Sequence, residues 1–269
     1  MKEFLGFGGY QRPAEGFLSW QHLLFVTSLM VIMILSAAYL GQKNKNAGES
    51  QKNKVLIAAA IAINSFEIFK IVVTCVRSQD AMAWIHDLPL FLCSIQLITI
   101  PLAAFAKGRV REAALDFVLI FGILGALFGT YGAGQNYNAY PVLSMDNVIS
   151  GITHSISGFS SLYIAFSGMT SMKKKNIKIS FSILLSFCVA AFIVNKIIDY
   201  NYMFLESHDG TPYVFFYNLV NGSPILYPMI VVLLFIIYIT LFYYTYFFIC
   251  KRKYERRVDE DEIAPAFKS

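Results

Sequence analysis

The sequence predicts an all-α, polytopic membrane protein: one bundle of seven transmembrane helices, N-terminus outside and C-terminus cytoplasmic. Three observations carry this expectation. Of 269 residues, 57% are hydrophobic and only 14% charged. A typical soluble domain carries about 25% charged residues, so this chain lacks the polar skin that a soluble fold exposes. Next, a membrane helix needs about 20 mainly apolar residues, and seven stretches qualify: Trp20–Leu40, Val55–Val76, Leu88–Ala106, Ala113–Tyr131, Val148–Met169, Ile177–Ile198 and Ile225–Ile249. These runs are too long, and alternate too little, to be strands. Finally, the basic residues are one-sided. Lys43, Lys45, Lys52 and Lys54 follow span one, Lys107, Arg109 and Arg111 follow span three, and Lys173, Lys174, Lys175 and Lys178 follow span five. The tail adds six more, whereas the opposite side holds only Lys2, Arg12 and Arg77. Loops rich in Lys and Arg stay in the cytoplasm, so the net charge of +5 is a topology signal and not a nucleic-acid footprint.

Each span has its own justification. Span one is too long for the apolar core of a cleaved signal peptide, and its flanking charge is inverted. Span two carries Asn64, Glu67 and Lys70 on its way outward. Span three runs inward from His86 and Asp87; with Pro89 close behind, Asp87 reads as its N-cap. It carries Cys93 and Gln96, neighbours at i, i+3 on one helical face, with Cys93 ~9 Å along the helix from Asp87. Span four sets Gly122, Gly125, Gly129 and Gly132 on one face, the pattern of closely packed backbones, and Asp116 is its inner-half charge. Span five is the richest in Ser and Gly, and shows His154 on a face with Gly151, Ser157, Gly158 and Ser161. Span six ends at Asn195, Lys196 and Asp199. Span seven closes a transmembrane domain of residues 1–250; residues 251–269 form a charged cytoplasmic tail, expected to be disordered.

Ionisable side chains cost a few kcal/mol each at the centre of a membrane helix. Most of those inside these spans lie in the outer half, which implies a polar cavity opening toward the outer leaflet. Glu67 and Lys70 at i, i+3 either neutralise each other or face a substrate. Lys196 beside Asp199 snorkels to the headgroups, and His22 and His86 are interfacial. The four cysteines lack zinc-site spacing, though Cys75 and Cys93 both lie toward the outer side, where a disulfide is conceivable. Cys93 is the sharpest candidate, because a thiol beside a base is the minimum for covalent acyl transfer. Whether His154 faces it is not legible in the sequence. No metal or cofactor is implied.

Several segments carry a resemblance: FLSWQHL (Phe17–Leu23), LPLFLCSIQL (Leu88–Leu97), GILGALFGTY, ITHSISGFSSLY (Ile152–Tyr163) and DYNYMFL (Asp199–Leu205). In order and over nearly the whole chain, they resemble the YwaF-type bacterial integral membrane family, related to the eukaryotic transmembrane protein 164 acyltransferases. The resemblance implies a plasma-membrane acyltransferase. It would move a fatty acyl chain from a phospholipid to a lyso-lipid or other acceptor through a thioester on Cys93, with His154 as base. Gln96 or Asn201 would stabilise the oxyanion, Asn201 and Tyr202 would hold a headgroup, and Glu67, Lys70 and Asp87 would support the site. Membrane phospholipids are the implied partners, with no nucleic acid and no protein partner evident. Phe91 stands where the family pattern LPLHxC has His, so the chain lacks that base or relies on His154 alone. The rival reading is a non-enzymatic seven-helix transporter, sensor or lipid-binding protein that uses Glu67, Lys70 and His154 as a ligand or proton site.

Overall fold

The computed structural model describes residues 2–169, 172–173 and 176–263, with side chains through 249. Every regular element among them is helical: α1 Trp20–Asn44, α2 Glu49–Ser78, α3 Gln96–Phe105, α4 Gly108–Tyr131, α5 Gly134–Ala139, α6 Met145–Ser167, α7 Ile177–Ile198, α8 Val214–Leu219 and α9 Leu226–Ile263, with short 3-10 turns at Ala83–Asp87 and Tyr202–Phe204. Among the described residues, five helices are long and apolar enough to cross a membrane: α1, α2, α4 continuing through α5 to Ala139, α7, and Leu226–Ile249 of α9. Helix α6 has the length, at 23 residues, but six serines dilute its apolar character. The backbone of α9 continues through Ile263, and residues 264–269 of the expected tail lie outside the described residues.

Span three is the element that departs from expectation. Only Gln96–Phe105, ten residues, is α-helical; Leu88–Ile95 forms irregular turns. Asp87 is therefore not the N-cap of a long helix. It ends the 3-10 turn, and its carboxylate lies 3.0 Å from Lys70 Nζ. Cys93 precedes α3 and shares no helical face with Gln96.

Helix α4 is the axis of the bundle, buried without interruption from Ala113 to Gly122. Helices α3 and α6 pack on it, α1 and α2 pack on α6, and α7 pairs with α9. Two serines of α6 bond to α4, Ser161 Oγ donating to the Leu119 carbonyl (2.7 Å) and Ser157 Oγ to that of Gly122 (3.4 Å), while Ser155, Ser160 and Ser167 donate to carbonyls of α6 itself. This explains how so polar a helix sits in an apolar bundle. Asp116, 1% exposed, accepts hydrogen bonds from Asn176 Nδ2 (2.9 Å) and the Tyr243 hydroxyl (3.2 Å), tying α4 to the start of α7 and to α9.

Asn64 has a specific task. Pro101 inside α3 has no N–H, so the Leu97 carbonyl four residues earlier loses its helical donor. Asn64 Nδ2 supplies the missing bond from α2 at 3.2 Å. Asn64→Leu should destabilise the protein by about 1–3 kcal/mol, the cost of a buried acceptor left unpaired. Thermal unfolding in detergent measures it, and Pro101→Ala in the same background should restore part of the loss.

The chain before α1 is latched to the end of the bundle where α2 finishes and α6 begins. Arg77 grips Asp146 with two bonds (Nη1–Oδ2 2.7 Å, Nη2–Oδ1 2.8 Å). The Tyr10 hydroxyl donates to the same carboxylate at 2.5 Å, and Met145 N donates to the Phe4 carbonyl at 2.9 Å. His22, expected at the interface, is instead fully buried. Its ring stacks 3.9 Å from that of Tyr137, Nε2–H donates to the Thr130 carbonyl (3.2 Å) and Nδ1 accepts from Leu18 N (3.1 Å). Both ring nitrogens have partners, which removes the reason for the ring to seek water. His86 is exposed, 4.9 Å from the Tyr200 ring.

Candidate active site

His154 lies on α6, four residues after Ser150, whose carbonyl accepts a hydrogen bond from His154 Nδ1–H at 2.7 Å. A carbonyl can only accept, so Nδ1 carries the proton and Nε2 of the neutral ring is left as a base. The Cys93 thiol and this ring act on each other electrostatically, and both side chains lie against one face of α4 a turn apart, Cys93 at Gly125 and His154 at Gly129. Both Cys93 and His154 are half-buried, so the pair is not sealed into the core.

Three glycines of α4 line this region, two of them facing the pair. A Cβ at Gly129 would fall 1.9 Å from His154 Cδ2 and 2.0 Å from Nε2. At Gly125 it would meet Cys93 Cβ at 3.4 Å, and at Gly122 it would lie 2.6 Å from the Ser157 carbonyl. Gly122 thus lets α4 and α6 approach, as the spacing implied. Gly129 does something more, giving its missing side chain's space to the imidazole.

Gln96, at the first turn of α3, is fully buried. Its Oε1 accepts from Thr99 Oγ1 (2.9 Å), while Nε2 has no hydrogen-bond partner among the described residues. A buried donor left unpaired three residues along the chain from Cys93 is a group that could serve an oxygen developing charge during reaction. Glu67 and Lys70 do neutralise each other, at 2.5 Å, and Asp87 joins them as a third member. This cluster lies within electrostatic range of His154 and Tyr200.

The remaining candidates hold loops together. Asn201 Nδ2 donates to the Ser207 carbonyl (2.8 Å) and Asp209 Oδ2 (2.6 Å), and its Oδ1 accepts from Glu206 N (2.8 Å). Tyr202 is fully buried, its hydroxyl donating to the Ile85 carbonyl at 2.5 Å and accepting from Leu88 N at 3.1 Å. Lys196, expected to snorkel, pairs with Glu206 at 2.6 Å and not with Asp199. Phe91 stands against the rings of Tyr202 (5.0 Å) and Phe204 (5.8 Å) in an aromatic cluster. Cys75, Cys93 and Cys188 are free thiols, so Cys75 and Cys93 are not joined, and no metal-binding cluster occurs among the described residues. Sequence reasoning missed Gly129 as a site residue, Ser150 as the group that orients His154, and Asn195, which grips Tyr202. Only the i, i+4 spacing of Ser150 and His154 was visible beforehand, and it is too common to be a signal.

These observations define a class: an α-helical, multi-span membrane protein with a thiol–imidazole pair at a break in its bundle. The chain belongs to the TMEM164 family, whose model matches residues 17–246. No curated protein and no solved structure matches it.

Proposed function

We propose that the protein is a membrane-embedded cysteine acyltransferase that moves a fatty acyl chain from a phospholipid to a lyso-lipid or other acceptor. The observation that carries this reading is the placing of Cys93 and His154 against one face of α4, a turn apart at Gly125 and Gly129, with Nδ1 of the imidazole committed to the Ser150 carbonyl. In the first half-reaction, His154 Nε2 takes the thiol proton and the sulfur attacks the donor's ester carbonyl. The C–S bond forms, the ester C–O bond breaks, and the departing lyso-lipid oxygen takes the proton back from His154. In the second, an acceptor hydroxyl gives its proton to Nε2 and attacks the thioester, and the proton returns to the sulfur. Gln96 Nε2 and the N–H groups of Cys93 and Ser94 are the donors nearest the developing oxyanion.

In this reading the irregular Leu88–Ile95 segment with α3 forms the third crossing and the serine-rich α6 the fifth, which completes seven. The basic loops then face the cytoplasm, the N-terminus lies outside, and the plasma membrane is the location.

The test is a chemical trap. Protein incubated with phospholipid carrying a labelled acyl chain should acquire hydroxylamine-labile label on the peptide containing Cys93, and Cys93→Ala should lose it. Label of equal intensity in Cys93→Ala would sink the assignment. The transporter or sensor alternative makes the opposite prediction, with Cys93→Ala silent and Glu67→Gln disabling.

A further inference from the structure

The nucleophile stands on backbone that no helix supports. Between the 3-10 turn at Ala83–Asp87 and α3, the segment has few bonds of its own: Leu90 N to the Leu88 carbonyl (2.7 Å), Phe91 N to Ser94 Oγ (2.9 Å) and Ile95 N to the Phe91 carbonyl (3.0 Å). What fixes its upstream end comes from far along the chain. The Tyr202 hydroxyl bridges the Ile85 carbonyl and Leu88 N, so one phenol oxygen joins the end of the 3-10 turn to the start of the Cys93 segment. Tyr202 is itself gripped from α7. Asn195, 2% exposed, accepts from Tyr202 N through Oδ1 at 2.7 Å and donates from Nδ2 to the Tyr202 carbonyl at 3.0 Å. The Tyr202 ring lies against Phe91, two residues before Cys93. Lys70 holds the same segment from the opposite flank through Asp87.

We propose that Tyr202 is a positioning residue: its hydroxyl, held by Asn195, sets Cys93 at its station beside His154. This rests on the acyltransferase reading only in what the thiol is for. The geometry of the clamp stands without it. A misplacement of about 1 Å can cost about a hundredfold in rate, so a lost clamp should show in reactivity before it shows in folding.

The experiment follows alkylation of individual cysteines in the full-length protein by iodoacetamide across pH, with Cys75 in the same molecule as reference. In the wild type, Cys93 should react with a pH profile distinct from that of Cys75, because a base lies beside it. Tyr202→Phe keeps the ring and removes both hydroxyl bonds. It should bring the Cys93 profile onto that of Cys75 and slow acyl labelling about a hundredfold. Tyr163→Phe is the matched control, a buried hydroxyl that also makes two bonds, to Asn44 Nδ2 (3.2 Å) and the Lys52 carbonyl (3.0 Å), and it should leave the profile unchanged. Should Tyr202→Phe fail to fold, Asn195→Gln, which pushes Tyr202 by one methylene, should shift the profile part of the way. An unchanged profile in folded Tyr202→Phe overturns the proposal, as does an equal change in Tyr163→Phe. A wild-type Cys93 that takes no acyl label, yet has a distinct profile that Tyr202→Phe abolishes, would overturn the acyltransferase reading and leave the clamp standing.

Discussion

Gly129→Ala is expected to silence Cys93 while leaving the bundle folded. The added methyl would sit 1.9 Å from His154 Cδ2 and 2.0 Å from Nε2, distances no packed structure tolerates. The imidazole must then swing away, and its bond from Nδ1 to the Ser150 carbonyl allows that only by breaking. Loss of a positioned general base costs about 10²–10⁴ in rate, and acyl labelling of Cys93 should fall by that order. Stability should move little, because Ala is favoured over Gly inside a helix by about 1 kcal/mol. Gly125→Ala is the graded comparison, since its Cβ would meet Cys93 Cβ at 3.4 Å, near ordinary contact. Labelling of Gly129→Ala within twofold of wild type would show that the space beside the ring is not what holds the dyad.

The second large effect belongs to the latch, and it is one of stability. Arg77→Met leaves the Asp146 carboxylate, 15% exposed, without its cation. Breaking a fully buried ion pair from one side costs about 3–5 kcal/mol; this pair is partly buried, and a loss of about 1.5–3 kcal/mol, that of hydrogen bonds to a charged group, is expected. The pH dependence gives the signature. Burial alone would raise the Asp146 carboxyl, but the bonds from Arg77 and Tyr10 outweigh burial and hold it below the usual carboxylate range. A carboxyl depressed in the folded state adds stability above its unfolded value, about 3.9, and that stability is lost as pH falls through the folded value. Tyr10 works at the other limit. Burial first, and then its bond to Asp146, push its phenol up to about 12. Its contribution is complete below the ordinary tyrosine value of about 10 and is lost as pH rises through 12. The wild type should hold a plateau between these limits. The Arg77→Met deficit in thermal unfolding should be large at pH 7 and shrink in acid, where a protonated Asp146 needs no cation. An equal deficit at both pH values would refute this account of the latch.

How far the sequence disclosed this molecule depended on the kind of signal. Apolar runs placed the crossing helices well, because hydrophobic length is a one-dimensional property. Cys93 and His154 stood out because polar and reactive groups inside such runs are costly. The break before α3 was hidden, since Leu88–Leu97 is as apolar as any helix and carries no glycine. The turns there are held by the Ser94 hydroxyl, by Tyr202 more than a hundred residues away and by Lys70, none of which a local window detects. The glycines of α4 were seen as a stripe, yet a stripe that admits a neighbouring backbone and one that admits an imidazole look identical in sequence. Asn201 and Tyr202 were singled out by the resemblance of the DYNYMFL segment, and their polar atoms bond to the protein's own loops. Asp146, in the first turn of α6, carries no sequence signal of its role. Its partner was fixed only by the approach of α2 to α6.

The broken stretch Leu88–Ile95 has a consequence for the lipid around it. Peptide groups outside a helix survive at the depth of a bilayer only where protein or water covers them, and Phe91 through Ser94 are only half-buried. Under the proposed acyltransfer, a thioester on Cys93 would form on this partly exposed stretch, where any water that covers the backbone would compete with acceptor lipid for the acyl group. The measure of the molecule would then be yield as well as speed: how many acyl chains reach another lipid for each one released as free fatty acid.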